Sequence, residues 1–129
     1  MIKIIHPEQQ AGAQKSGPSF SGTVLPYVIM PSTDGVSLNN VTFTPGARTF
    51  WHRHERGQIL QVLSGRGLIQ LEGEKSYVIR AGDVIWIPPG DRHWHGAAPD
   101  SPMTHTAISL GVTAWEDEVS QADYTAPAA

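Results

Sequence analysis

At 129 residues the chain has room for one hydrophobic core but would be cramped with two, so a single domain is expected. A formal net charge of -3 excludes a sequence-independent phosphate-binding surface, so no nucleic-acid partner is expected; the absence of cysteine excludes disulfides, thiolate zinc sites, iron–sulfur ligation and cysteine nucleophiles. Charged residues make up 16%, against ~25% in ordinary globular chains, and 13 glycines with 10 prolines imply many short elements joined by tight turns.

The opening residues Met1 to Ile5 are too few for a signal-peptide apolar region or a membrane span, and no later segment approaches one. A soluble, cytoplasmic protein with no membrane partner is the expectation. Pro7 to Gly22 is rich in Gln, Ala, Gly and Ser, which suits an extended arm better than core. Residues 1–22 are therefore read as an arm that packs on, or swaps with, a barrel formed by residues 23–129.

From Pro45 to Gly111 the longest stretch free of Gly and Pro is Ala47 to Arg56, too short for helices of normal length. The runs between breaks read as strands: Val36–Thr44, Arg48–His54, Gln58–Leu63, Leu68–Leu71, Lys75–Ile79, Val84–Ile87, Arg92–Ala97 and Thr104–Leu110. Such spacing marks an all-β sandwich or barrel, with turns expected at Ser64-Gly65-Arg66-Gly67, Glu72-Gly73-Glu74 and Ala81-Gly82-Asp83. Thr113 to Tyr124 fits both a helical and an alternating pattern; a strand followed by a helical turn opened by Ser120 is expected.

With no cysteine, any metal must be held by imidazole and oxygen, and five of the six histidines fall between His52 and His105. His52 and His54, two apart on a predicted strand, project from the same face. The Glu55-Arg56-Gly57 turn would bring Gln58 in on the neighbouring strand, and the stiff Ile87-Pro88-Pro89-Gly90 turn fixes where His93 begins the next one. Four N/O ligands from three strands would leave open positions on an octahedral ion. The plain alternative is a set of ordinary buried histidines, with Gln58 bonded to backbone; two regularly spaced motifs argue against it.

Those motifs carry a family resemblance. Gly46-x5-His52-x-His54-x3-Gln58-x6-Gly65 resembles the first cupin motif, and Gly82-x5-Pro88-x-Gly90-x2-His93 resembles the second. The resemblance implies a single jelly-roll-like β-barrel with one divalent ion inside one end, commonly as a homodimer. Two positions depart from it: Gln58 stands where the family usually has glutamate, and Ala97 where it usually has asparagine. A carboxamide in place of a carboxylate removes one negative charge from the ligand set, which should lower affinity, raise Lewis acidity and favour an anionic partner.

Pro45-Gly46-Ala47-Arg48-Thr49, His93-Trp94-His95-Gly96-Ala97-Ala98-Pro99 and Met103-Thr104-His105 extend the likeness to small bacterial cupins that act as manganese-dependent hydroxynitrile lyases. That resemblance implies manganese, with iron, nickel or zinc as alternatives, and places His95, His105 and Thr49 beside a bound cyanohydrin. His95 shares a face with His93, and His105 shares one with Met103, Ala107 and Ser109; each is equally well read as a hydrogen-bonded structural histidine. His105 is favoured over His95 as the base. Thr49 has the wrong parity relative to His52 unless a bulge intervenes. Trp51, Trp86, Trp94 and Trp115 exceed what one small interior needs, so a second layer or a dimer interface is expected. The expected function is a metal-dependent lyase acting on a small-molecule substrate, with a cupin dioxygenase or a non-catalytic binding module as alternatives.

Overall fold

Strict alternation along Met103–Leu110 buries every second residue and leaves the others partly exposed, the period expected of a strand with one face on a core. In the computed structural model, which describes residues 1–129, this strand is β11 of twelve. The others are β1 (Gly12–Ala13), β2 (Phe20–Ser21), β3 (Val24–Thr33), β4 (Val36–Phe43), β5 (Arg48–Thr49), β6 (His52–His54), β7 (Gln58–Leu71), β8 (Tyr77–Arg80), β9 (Val84–Ile87), β10 (His93–Ala97) and β12 (Thr113–Trp115). Pairing is antiparallel throughout.

One sheet runs β1-β3-β4-β11-β7-β9. The other places β8, β7 and β10 side by side, with β5 and β6 on the far edge of β10, β2 on β5 and β12 on β6. The two curl into an all-β, jelly-roll-like barrel and share β7. No helix is long and apolar enough to cross a membrane.

Three sequence expectations change. Ser64-Gly65-Arg66-Gly67 is no turn: β7 passes straight through it, pairing with β11 up to Gly65 and with β10 from Gly67. The glycines serve this corner by letting neighbouring segments of the chain come close. A Cβ on Gly65, whose φ is 77°, would lie 1.9 Å from the Pro102 carbonyl oxygen, and one on Gly67 would lie 2.3 Å from that of Gly96. Residues 24–33, not among the strands expected from the sequence, form β3 despite Pro26 and Pro31. The Pro26 carbonyl accepts the Gln14 N–H at 3.0 Å, so the missing proline N–H falls on the β1 side and the β4 ladder is spared. Arg48–His54 is two strands, broken at Phe50 and Trp51.

The interior is a cluster that includes Val24, Val41, Phe43, Leu60, Val62, Ile69, Ile87 and Met103. A second, smaller core lies on the outer face of β10. There Trp51, Leu68 and the wholly buried Trp94 pack beneath Val119 and Tyr124 of the C-terminal segment. The Trp94 indole N–H donates to Gln70 Oε1 at 2.8 Å, satisfying its one polar atom. Ser120 caps the helix α1 (Gln121–Thr125) by accepting the Asp123 N–H at 3.1 Å, as expected for the turn it opens. The Tyr124 hydroxyl then donates to the Ala97 carbonyl at 2.6 Å, and the Arg48 guanidinium stacks on the Tyr124 ring at 4.3 Å. β10 is thus clamped from outside while His93 and His95 project inward.

The arm is sewn onto its own barrel at two places. Gly12 and Ala13 pair with Val28 and Tyr27 of β3, and Phe20 and Ser21 pair with Thr49 and Arg48 of β5. These anchors lie on opposite sheets, so the intervening residues cross the mouth of the barrel.

Candidate metal centre

Thr49, His52, His54, Gln58, His93, His95, His105 and Ser109 are all buried and, His93 excepted, line one cavity of about 290 Å³. Their convergence follows from local chain geometry. His52 faces His93 directly across the β6–β10 pair, so two ligand candidates start as cross-strand neighbours. The turn after His54 contains Gly57 at φ 99°, and there a Cβ would lie 2.8 Å from the Ile87 carbonyl oxygen. This turn carries the chain across to the opposite sheet, which corrects the expectation that Gln58 enters on the strand beside β6: β6 pairs with β10 and β12, whereas Gln58 opens β7 opposite Ser109. The break at Phe50 and Trp51 resets the alternation, so Thr49 points inward with His52. Its Oγ1 accepts the His95 backbone N–H at 3.2 Å.

Backbone carbonyls decide which ring nitrogen each imidazole presents. His52 Nδ1 lies 2.8 Å from the Phe50 carbonyl oxygen and His93 Nδ1 lies 2.9 Å from that of Asp91. A carbonyl only accepts, so both Nδ1 atoms carry the proton and both Nε2 atoms are bare lone pairs. His54 Nδ1 lies 3.0 Å from Thr113 Oγ1, a hydroxyl that can accept or donate, so this contact orients the ring without fixing its tautomer. Gln58 donates its Nε2 N–H to Ser109 Oγ at 3.0 Å, which turns Oε1 toward His93 Nε2, 3.2 Å away. Two acceptors therefore face each other without a proton between them. The His54 Nε2 is also buried without a partner. A divalent cation would take up the buried lone pairs that lie together here, so the residues fit a metal.

His52, His93 and His95 offer ring nitrogens within 4.8 Å of one another. His54 sits at the margin of the group, its ring centroid 4.9 Å from that of His52 and 5.4 Å from that of His93. The geometry thus adds His95 to the residues able to hold an ion. The sequence signal was its shared face with His93, which the reading above used for a catalytic role.

His105 Nε2 and His95 Nδ1 are 2.9 Å apart, so the pair shares one proton; His95 Nε2 and His105 Nδ1 are buried without partners. With the shared proton on His95 Nδ1, a neutral pair has a bare His95 Nε2 and a protonated His105 Nδ1; with it on His105 Nε2 the reverse holds, and exchanging the two states moves a second proton as well. Burial lowers the His54 and His105 imidazoles to about 4, with the neighbouring His93 adding to the effect at His54. His52 and His95 are pushed well below the ordinary histidine value by burial and then by surrounding imidazoles, and His93 is lowered by burial. The cluster is neutral and ready to accept a cation at neutral pH.

A barrel of this topology with inward histidines on β6 and β10 is the cupin arrangement. The Cupin domain family matches residues 39–109, and the chain belongs to that family. A protein of Granulicella tundricola named (R)-mandelonitrile lyase is 42% identical over 126 residues, spanning 90% of this chain and 96% of that protein. A cupin-like protein of Thermotoga maritima has a solved structure that superposes with a TM-score of 0.83 at 36% identity, covering 88% of this chain and 91% of its own. Acireductone dioxygenase of Hahella chejuensis is 31% identical over 67 residues, which are 50% of this chain and 36% of that enzyme.

Because His54 and His105 titrate near 4 when folded but near ~6.5 when unfolded, the unfolded chain binds more protons between those values. Stability of metal-free protein should be level above about pH 7 and fall as pH drops from about 6.5 toward 4, by up to about 1.4 kcal/mol per pH unit for each histidine. Thermal melts across this range check it; a midpoint unchanged between pH 7 and 5 contradicts neutral burial of these rings.

Proposed function

We propose that this cupin is a metal-dependent lyase cleaving a small aromatic cyanohydrin to cyanide and a carbonyl compound, with manganese held by His52, His54, His93 and Gln58. The observation that carries the reading is that a histidine pair sharing one proton opens onto the same cavity as a cluster of neutral acceptors. The relative of Granulicella tundricola supports it along almost the whole chain.

When bound, the ion supplies Lewis-acid stabilisation of negative charge, undiminished by any carboxylate ligand. The remaining work falls to side chains. Phe20, Val28, Phe43 and Trp115 line the cavity and suit an aromatic ring. In place of His105, the base favoured from the sequence, this reading takes His95: its bare Nε2, with its Nδ1 proton held by His105, accepts the hydroxyl proton of the cyanohydrin. The carbon–carbon bond then breaks, its electron pair leaves with cyanide, and the carbonyl forms. Burial makes the protonated pair a good acid, so it returns the proton to cyanide and is reset.

The partial match to acireductone dioxygenase favours oxygen chemistry as the second reading, and oxygen uptake in the same assay discriminates it. Assembly as a homodimer belongs to the reading too, supported by the exposed Tyr77, Val78, Val84 and Trp86 on β8 and β9. Light scattering should then return more than the 14.0 kDa of one chain, and a mass of one chain at micromolar concentration contradicts it.

Metal-loaded protein should release cyanide from mandelonitrile faster than buffer, and metal-free protein should not. His95→Ala should lose roughly 10²–10⁴-fold in rate with metal content unchanged, and His105→Ala should lower the rate by a smaller factor. Gln58→Glu should bind metal more tightly and turn over more slowly. Absence of metal-dependent cyanide release from wild-type protein overturns the lyase reading.

A further inference from the structure

The cavity over the histidines holds no acid. Its lining contains neither aspartate nor glutamate, and its one fixed charge is the ammonium of Lys15. A cation at the histidines would only add positive charge. In a chain whose net charge is -3, this hollow differs in sign from the molecule around it, and a small anion is the ligand charge it suits.

Lys15 stands on the segment that crosses the mouth of the barrel, and that segment is fixed at both ends. Gln14 donates its backbone N–H to the Pro26 carbonyl at 3.0 Å, and the Ser19 carbonyl accepts the Phe50 N–H at 2.9 Å. Phe20 then sets its ring edge-on to Phe43 and Trp115, at centroid distances of 6.3 and 5.8 Å. Holding a polar stretch in place costs backbone entropy, and residues 14–18 are all exposed, so burial offsets little of it. What the stretch does achieve is to keep the base of the Lys15 side chain at the rim. Lys15 joins none of the ion pairs of the structure, so its charge is free for a ligand.

The two ends of the cavity ask for different chemistry. The buried histidines at the deep end face an oxygen-bearing group, the exposed rim offers one cation, and Phe20, Val28 and Trp115 give apolar wall between them. A single lysine balances a single negative charge and lacks the fork with which arginine grips a phosphate, so a carboxylate matches it better than a phosphate dianion. We propose that Lys15 is a specificity-determining residue that makes this cavity favour small aromatic compounds carrying a carboxylate at the end remote from the histidines. The inference rests on the reading of the cavity as the ligand site and does not depend on which reaction follows there.

The test compares two probes that differ only in charge at one end, para-(hydroxymethyl)benzoate and para-(hydroxymethyl)benzamide, titrated calorimetrically into full-length protein supplied with Mn²⁺. Wild-type protein should bind the carboxylate about 3- to 5-fold more tightly than the amide, the range of a solvent-edge ion pair. The preference should shrink as salt is raised. Lys15→Met should bring the two affinities within about 1.5-fold of each other by weakening the carboxylate alone, Lys15→Glu should reverse their order, and Lys15→Arg should keep it. Equal binding of both probes by wild-type protein, binding of neither, or a preference that survives Lys15→Met and so belongs to the ion overturns the role of Lys15. Absence of cyanide release overturns the lyase reading alone and leaves this assignment standing.

Discussion

Imidazoles at the centre of this barrel are not free to choose their tautomers. The carbonyls of Phe50 and Asp91 hold the Nδ1 protons of His52 and His93, so bare Nε2 atoms are forced into a buried space that Gln58 Oε1 also enters. Lone pairs gathered in a low-dielectric interior repel one another and have given up the water that would otherwise satisfy them. Such a grouping is better satisfied by a cation than left bare, and proton uptake is resisted because burial disfavours charged rings, with neighbouring imidazoles adding to the effect at His52. The arrangement leaves buried histidines that could hold a metal ion while staying unprotonated at neutral pH.

The outer structure follows from the need to hold those rings still. β10 carries His93 and His95 inward and Trp94 outward, and each face is anchored separately. Trp94 is locked into the small core under α1, and Tyr124 bonds the Ala97 carbonyl, so the C-terminal segment stiffens the strand that bears two of the histidines. At the strand's start Arg92 lies over Trp51 at 4.5 Å and bonds Glu116, which also takes Arg53. That network straddles both histidine strands, since Arg53 sits between His52 and His54 and Arg92 precedes His93. Partly exposed ion pairs of this kind contribute little stability singly. Their position next to the ligand-bearing residues matters more than their energy.

Much of this was legible in the chain. The two motif spacings carried the cupin family, the barrel and the inward histidines, because those features depend on strand alternation and on turns that need glycine or proline at fixed places. What was hidden depended on contacts far apart in sequence. The corner in β7 looked like a turn because Gly65 and Gly67 serve close approach to Pro102 and Gly96, which no local pattern reveals. β3, not among the expected strands, contains Pro26, whose lost donor is harmless only because it faces the β1 side. The parity objection to Thr49 dissolved at a two-residue break no propensity marks, and the nearness of His95 to His52 required knowing that β6 and β10 are paired.

The central claim, that the Nε2 atoms of His52, His54 and His93 with the Gln58 oxygen form a site for one divalent ion, is tested most directly by crystallography with anomalous diffraction at the manganese, iron, nickel and zinc edges, on protein purified without chelators. The account expects a single strong anomalous peak within bonding distance of the three Nε2 atoms and Gln58 Oε1. No peak there at any edge, or Gln58 turned with its amide nitrogen toward a bound ion, would contradict it.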